Sequence, residues 1–274
     1  MTAVRAAADP YAEAAPASAV RFLPALNPLA KLAGPAPAMV MLVFVRDLAT
    51  PLAFLTLAYA VLLVGARTTA RLAVLLLVAL PAAAVVIGLG FSLWVDPSGV
   101  DHGTVVLRIG DWRLYGGAVE IGLATGLRLV AIVALALIAG LTTTGPDLAR
   151  ALVQQLRMPY RIGYTALAAF RFVPRFRHEL DVIRQAHRVR GANGGAGPFA
   201  AAVRWTGYVI PLLAGAIRHA ERVALAMDAR AFGAFPDRTE RHEVPFRARD
   251  VVFVVAFLAV SAAILALFFP WQPA

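Results

Sequence analysis

The chain contains no cysteine. That absence removes disulfides and thiolate metal sites together. Its histidines, His102, His178, His187, His219 and His242, are scattered, and no HxxxH or HExxH spacing gathers them into a zinc site. No GxxxxGK[ST] run occurs, so the chain has no phosphate-binding loop of its own. Gly191, Gly194, Gly195 and Gly197 follow no strand-like run and lead into no Lys-Ser/Thr pair. There is no GxSxG elbow, and Asp96 with Asp101, the nearest acidic pair, reads as loop. No enzyme signature is present. Zinc-finger, RNP-type and basic-zipper patterns are also missing, which argues against nucleic acid as a partner. Residues 1–25 are Ala-rich without a long apolar core, so a disordered leader is expected there rather than a signal peptide.

Charge is scarce. Only 15% of residues are Asp, Glu, Lys or Arg, while 60% are hydrophobic and mean hydropathy is +0.73. Soluble domains are about 45–50% apolar by a similar count, so these values describe an integral membrane protein. The net charge of +10 is concentrated. Residues 144–249 hold 17 of the 26 basic residues and 8 of the 16 acidic ones, an excess of nine. In a membrane protein such a block marks the cytoplasmic side.

Apolar runs of about 20 residues mark membrane spans, because the hydrocarbon core is about 30 Å thick and a helix rises about 1.5 Å per residue. The runs predict spans at 29–45, 51–65, 72–94, 116–143 and 250–270. The first two are short and can also form one re-entrant pair. Pro81 predicts a kink in the third. Residues 95–115 carry turn signals around the alternating run TVVLRI, which predicts a hairpin or irregular loop. Placing Arg67, Arg71 and the basic block in the cytoplasm turns this loop outward, with the N-terminus inside and the C-terminal PWQPA outside. Glu120 and Arg128 lie within the fourth span, and Arg128 is expected to face protein, in a buried pair or snorkelling.

The basic block is too long for a loop and too apolar for a tail. TTTGPD opens a helix with Leu148, Leu152 and Leu156 at i, i+4 spacing on one face, closed by Pro159. YRIGYTALAAFRFVPRF follows as an apolar helix expected to end near Pro174. RFRHELDVIRQAHRVR, 175–190, is a separate amphipathic helix with Phe176, Leu180, Ile183 and His187 on one face, stopped by Gly191. A further helix, about 200–232, is expected to bend at Pro211. These helices are neither spans nor a soluble domain, so their apolar faces need the bilayer surface, each other, or another subunit.

Two stretches in the block echo each other: HRVRGANG at 187–194 and AMDARAFG at 226–233. Each places an arginine near the end of a helix, before a small residue. With LNPLAKL at 26–32, the RFVP segment from Arg171 to Pro174, the Ala186–Gly191 run and AERVALAMDARAFG at 220–233, the chain resembles the transmembrane T component of energy-coupling factor (ECF) importers of vitamins and metal ions. The resemblance covers most of the chain and is strongest over 141–193. It implies an all-α polytopic membrane protein of about five spans. Residues 26–143 would hold spans one to four, 144–249 a cytoplasmic coupling-helix module, and 250–274 the last span and C-terminus.

The resemblance also implies that the two arginine-tipped helices dock into two ABC-type ATPase subunits, which hold the ATP and magnesium, so that this chain needs no cofactor or metal. Ala186, Arg190 and Gly191 match the first docking motif, and Ala229, Arg230 and Ala231 the second. Arg171, Pro174 and Pro159 are the matching structural positions, and Arg128, from its place within the fourth span, is a further structural candidate. A separate substrate-binding S-type membrane subunit is the remaining implied partner, alongside the lipid bilayer of a prokaryotic cell membrane. The second motif departs from the family in having Ala231 where glycine is usual, so that helix is expected to run on toward Gly233. An ordinary ABC-importer permease with its own substrate pathway is the alternative, ahead of a membrane-embedded enzyme or a non-transport scaffold.

Overall fold

The computed structural model describes residues 22–66, 69–95, 105–109, 112–191, 200–235, 239–240 and 242–270. The leader up to residue 21, Arg67, most of the 95–115 loop, the glycines at 194, 195 and 197, and the last four residues lie outside them. The chain divides into two compact units: unit 1, Met1–Thr144 with Val244–Ala274, and unit 2, Gly145–Glu243.

Unit 1 is helical, as apolar runs without a partner for backbone polar groups must be in lipid. Its helices are α1 (Pro28–Ala33), α2 (Ala36–Phe44), α3 (Ala49–Gly65), α4 (Ala70–Val74), α5 (Leu80–Ser92), α6 (Gly116–Thr142) and α10 (Ala248–Leu267). A π-helical stretch, Leu75–Ala79, joins α4 to α5. It lies just before Pro81, whose ring lacks an N–H and crowds the carbonyl four residues back, and the wider turn absorbs this misfit. Among the described residues, three helices are long and apolar enough to cross a bilayer: Leu72–Ser92, Gly116–Thr142 and Ala248–Leu267. Pro28–Phe44 and Ala49–Gly65 are shorter apolar helices. The expected hairpin is present as β1 (Val105–Ile109) antiparallel to β2 (Trp112–Tyr115), which feeds directly into α6.

Helix α6 is the central post, packed against α5, α3, α2 and α1. Its buried face carries Val130, Ala131, Ala134, Leu135 and Ile138, meeting Phe54, Leu62 and Leu76 in the main core. Contact with α5 is close. A methyl on Gly126 would collide with the Ala84 carbonyl, and one on Gly88 would come within 2.9 Å of the Leu123 Cα. These positions need glycine because backbones touch there. Outward faces keep large apolar side chains, among them Val86 on α5 (70% exposed) and Val252 on α10 (65% exposed). In a lipid solvent that exposure carries no penalty.

Arg128 does not pair with Glu120. It donates to the carbonyls of Val43 (3.1 Å) and Val45 (3.0 Å) and to the Thr125 hydroxyl (3.1 Å). These carbonyls close α2, so the guanidinium supplies donors that the helix end lacks.

Unit 2 consists of α7 (Gly145–Gln155), α8 (Tyr160–Val189) and α9 (Ala200–Asp228). One expectation is corrected here. Tyr160–Val189 is one continuous helix, and Pro174 lies inside it rather than ending it. On α7 the buried positions are Pro146, Ala149 and Ala151, while Leu156 is 64% exposed. Leu148 and Leu152 are half-buried, and Gly163 of α8 lies against Val153 and near the Ala149 carbonyl.

Candidate coupling helices

Helices α8 and α9 lie antiparallel, and four contacts fix the register. The Phe172 and His219 rings stand 4.6 Å apart, edge to face. A methyl on Gly215 would strike the Glu179 carboxylate. The Arg184 guanidinium sits 5.3 Å from the Trp205 ring centre. His187 meets Tyr208 edge-on at 5.2 Å. The stripe Phe176, Leu180, Ile183 and His187 is half-buried, on the side of α8 that carries these contacts. The i, i+3, i+4 pattern thus placed this face correctly even though the helix is longer than expected.

An antiparallel pair puts the two C-terminal ends at opposite ends of the rod. Arg190 caps the end of α8, and the α9 end folds back onto the start of α8 near Arg161. Twenty-nine residues of helix separate these points, about 45 Å at 1.5 Å per residue.

At both ends the residue after the arginine is left-handed. Arg190 is the C-cap of α8, with φ −76° and ψ 0°, and its N–H donates to Ala186 O at 3.1 Å. Gly191 then turns left-handed (φ 71°), and its N–H donates to Arg188 O at 3.2 Å. At the other end Ala231 is left-handed too, with φ 54°. Its N–H donates to Asp228 O at 2.9 Å, and the Phe232 N–H reaches Met227 O at 3.0 Å. That pair of bonds is a Schellman closure, with Arg230 at the cap position and Ala231 just past it. The expected run-on toward Gly233 does not occur. Ala231 adopts the turn that glycine would make, at a steric cost of about 1–2 kcal/mol. Gly233 (φ 92°) adds a second turn.

Ala186, Arg190, Gly191, Ala229, Arg230 and Ala231 are all exposed. Neither arginine forms an ion pair among the described residues, whereas Arg150–Asp147 (3.0 Å) and Arg184–Asp181 (3.3 Å) do. Each tip therefore presents an available planar cation at the negative end of a helix dipole. Apolar surface flanks the first, where Val189 is 89% exposed. Arg171 and Pro174 lie exposed in the middle of α8, about 25–30 Å along the helix from Arg190. Pro159 begins α8 as its N-cap residue rather than closing α7. The end of α7 is instead set by Arg157, left-handed at φ 52°.

The sequence reading did not single out the clamp on the second tip. Arg161 donates to the Gly233 carbonyl, and Tyr160 donates to Phe235 O at 2.7 Å. Phe232 lies edge-on to Tyr160 (5.7 Å) and Tyr164 (6.4 Å). Tyr164 donates to Glu240 at 2.7 Å. The Tyr160/Tyr164 pair at i, i+4 was the available signal. Tyr160, Arg161, Phe235 and Glu240, with Val153 and Met158, border a groove of about 790 Å³. Among the described residues no cluster of His, Asp and Glu could hold a metal ion.

Residues 19–241 match the family model CbiQ, described as cobalt transport protein. Several curated relatives are similar. The energy-coupling factor transporter transmembrane protein EcfT of Bacillus subtilis is 25% identical over 169 residues, covering 59% of this chain and 64% of that protein. The EcfT of Thermotoga maritima is 30% identical, covering 56% of this chain and 59% of that protein. A putative ABC transporter ATP-binding protein of Bifidobacterium longum is 28% identical over 176 residues, which are 61% of this chain and 23% of that longer protein. The matched region spans a little under two thirds of the length of the EcfT relatives.

Proposed function

Because this chain belongs to the CbiQ family, the transmembrane T components of energy-coupling factor transporters, we propose that it is the scaffold through which two cytoplasmic ATPase subunits drive a substrate-binding membrane subunit. One observation carries this reading. The antiparallel α8–α9 pair presents two arginine-capped helix ends of the same left-handed geometry, about 45 Å apart. Two equivalent rigid connectors at that spacing suit two copies of one kind of partner. A guanidinium fork fixed at a helix end can grip a carboxylate through two parallel bonds, and the exposed apolar residues beside it seal the contact.

The ATPase is the partner of choice for two reasons. The chain has no phosphate-binding loop. The similarity also extends into part of a longer protein named as an ATP-binding transporter subunit, which supports a working association between the two kinds of module. In this mechanism ATP draws the two partners together, the connectors move with them, and α8 and α9 shift as levers. The substrate is a vitamin or metal ion chosen by the separate membrane subunit. No residue of this chain performs chemistry on it.

The test is charge reversal. Arg190→Glu with Arg230→Glu abolishes co-purification of the ATPase subunits and ATP-driven uptake, and either change alone weakens capture at least about tenfold. Retention of the ATPases by the double variant refutes the docking. Uptake by this chain with ATPases alone would favour an ordinary permease instead.

A further inference from the structure

The chain has a single lysine, Lys31, against 25 arginines, and it is 2% exposed. Its ammonium donates to Thr142 O at 2.8 Å, on the last residue of α6. One turn earlier stands Asn27, 3% exposed, whose amide donates to Val244 O (3.3 Å) and Pro245 O (3.4 Å). Its backbone N–H donates to Asp250 Oδ1 at 2.7 Å, and the other Asp250 oxygen accepts from the Arg247 N–H at 2.7 Å. Asp250 is 1% exposed and lies in the first turn of α10. Arg249 donates to Ala25 O on the same side.

These contacts lie at the chain crossings between the two units. The chain leaves unit 1 at Thr144 and returns to it at Val244. The outgoing crossing is held by Lys31 and the returning one by Asn27 and Asp250. Asn27 and Lys31 are four residues apart, so the cap and first turn of α1 present both grips on one side. A buried ammonium and a buried carboxylate are expensive to desolvate, and apolar side chains of similar size would often serve stability as well or better. Their use here is positional: each fixes particular backbone carbonyls or N–H groups at a set distance. Lysine brings to the Thr142 carbonyl a compact ammonium on a long stem rather than a planar fork.

Resting on the scaffold function proposed above, we infer that Asn27, Lys31 and Asp250 form a coupling hub that holds the two crossings at a fixed separation. Movement of unit 2 then reaches α6 and α10 as one displacement instead of being lost as independent slack. These are positioning residues, and they touch no nucleotide or substrate.

The absence of cysteine allows clean spin labelling of the full complex with its ATPases. One pair of labels, Leu141→Cys with Val251→Cys, reports the crossings, both sites being about half exposed. A second pair, Val182→Cys with Leu225→Cys, reports unit 2. In the parent chain a non-hydrolysable ATP analogue shifts the unit 2 distance and leaves the crossing distance narrow and unmoved. Lys31→Met preserves the unit 2 shift and makes the crossing distance nucleotide-dependent. Asn27→Ala, which keeps every charge, does the same more weakly and serves if Lys31→Met does not assemble. A crossing distance unaffected by both substitutions overturns the hub, as does one broadened equally with and without nucleotide, which marks a lock of folding only. Absence of the unit 2 shift in the parent chain refutes the docking itself and the hub with it, whereas failure of the hub alone leaves that shift in place.

Discussion

Ala231 shows how a single residue can depart from a pattern without losing its geometry. Left-handed backbone costs an alanine about 1–2 kcal/mol, yet Ala231 sits at φ 54°, where Gly191 sits at φ 71° in the other connector. The clamp around it bears this strain: Arg161 on Gly233 O, Tyr160 on Phe235 O, and Phe232 between the two tyrosines. Ala231→Gly relieves the steric cost and loses part of the gain to a more flexible unfolded chain. A net gain of about 0.5–1 kcal/mol is expected, read as a melting temperature in detergent raised by about 1–3 °C. ATPase capture stays unchanged, because the arginine keeps its cap position. A fall in melting temperature would show that Ala231's methyl is itself needed.

Among the elements, the α5–α6 contact separates two kinds of glycine. Gly126 touches the backbone of α5, while nothing lies within 4 Å of a methyl built on Gly140. Gly126→Ala forces the helices apart and is expected to cost about 2–3 kcal/mol, as overpacking does. Gly140→Ala is expected to add about 0.5–1 kcal/mol through helix propensity alone. Opposite shifts in melting temperature from the same substitution, on one helix, check this directly. Helix α8 shows how far element length can be read from composition. Pro174 suggests an ending, but a proline costs one backbone bond, and contacts with α9 on both sides of it, Phe172–His219 and Arg184–Trp205, hold the helix through. The face of α8 was legible because periodicity survives a proline. Its continuity was not, because it depends on contacts with a separate partner helix.

At the scale of the whole molecule, the charge distribution makes the prediction. With 17 basic residues in 144–249, unit 2 is expected on the cytoplasmic side and the β1–β2 hairpin outside. Because the chain has no native cysteine, Trp94→Cys (Trp94 is 89% exposed) is expected to react with a membrane-impermeant maleimide on intact cells. Val189→Cys is expected to react only in inverted vesicles. Reversed labelling would invert the topology.

Composition and motif absences alone marked a membrane protein without cysteine or a phosphate-binding loop, because hydropathy and missing residue types need no partner to be read. Local periodicity, with the motif resemblance, marked both arginine tips. Tertiary structure decided the rest: that α8 is unbroken, that alanines are the most deeply buried side chains of α7 after Pro146, and that the two tips lie at opposite ends of one antiparallel pair. It also placed LNPLAKL: only the fold brings Lys31 to Thr142 and sets Asn27 beside Asp250, 223 residues away in sequence. Hydrogen bonds over such distances leave no local periodicity. They exist only where packing has already excluded water and left each buried donor to find a protein acceptor.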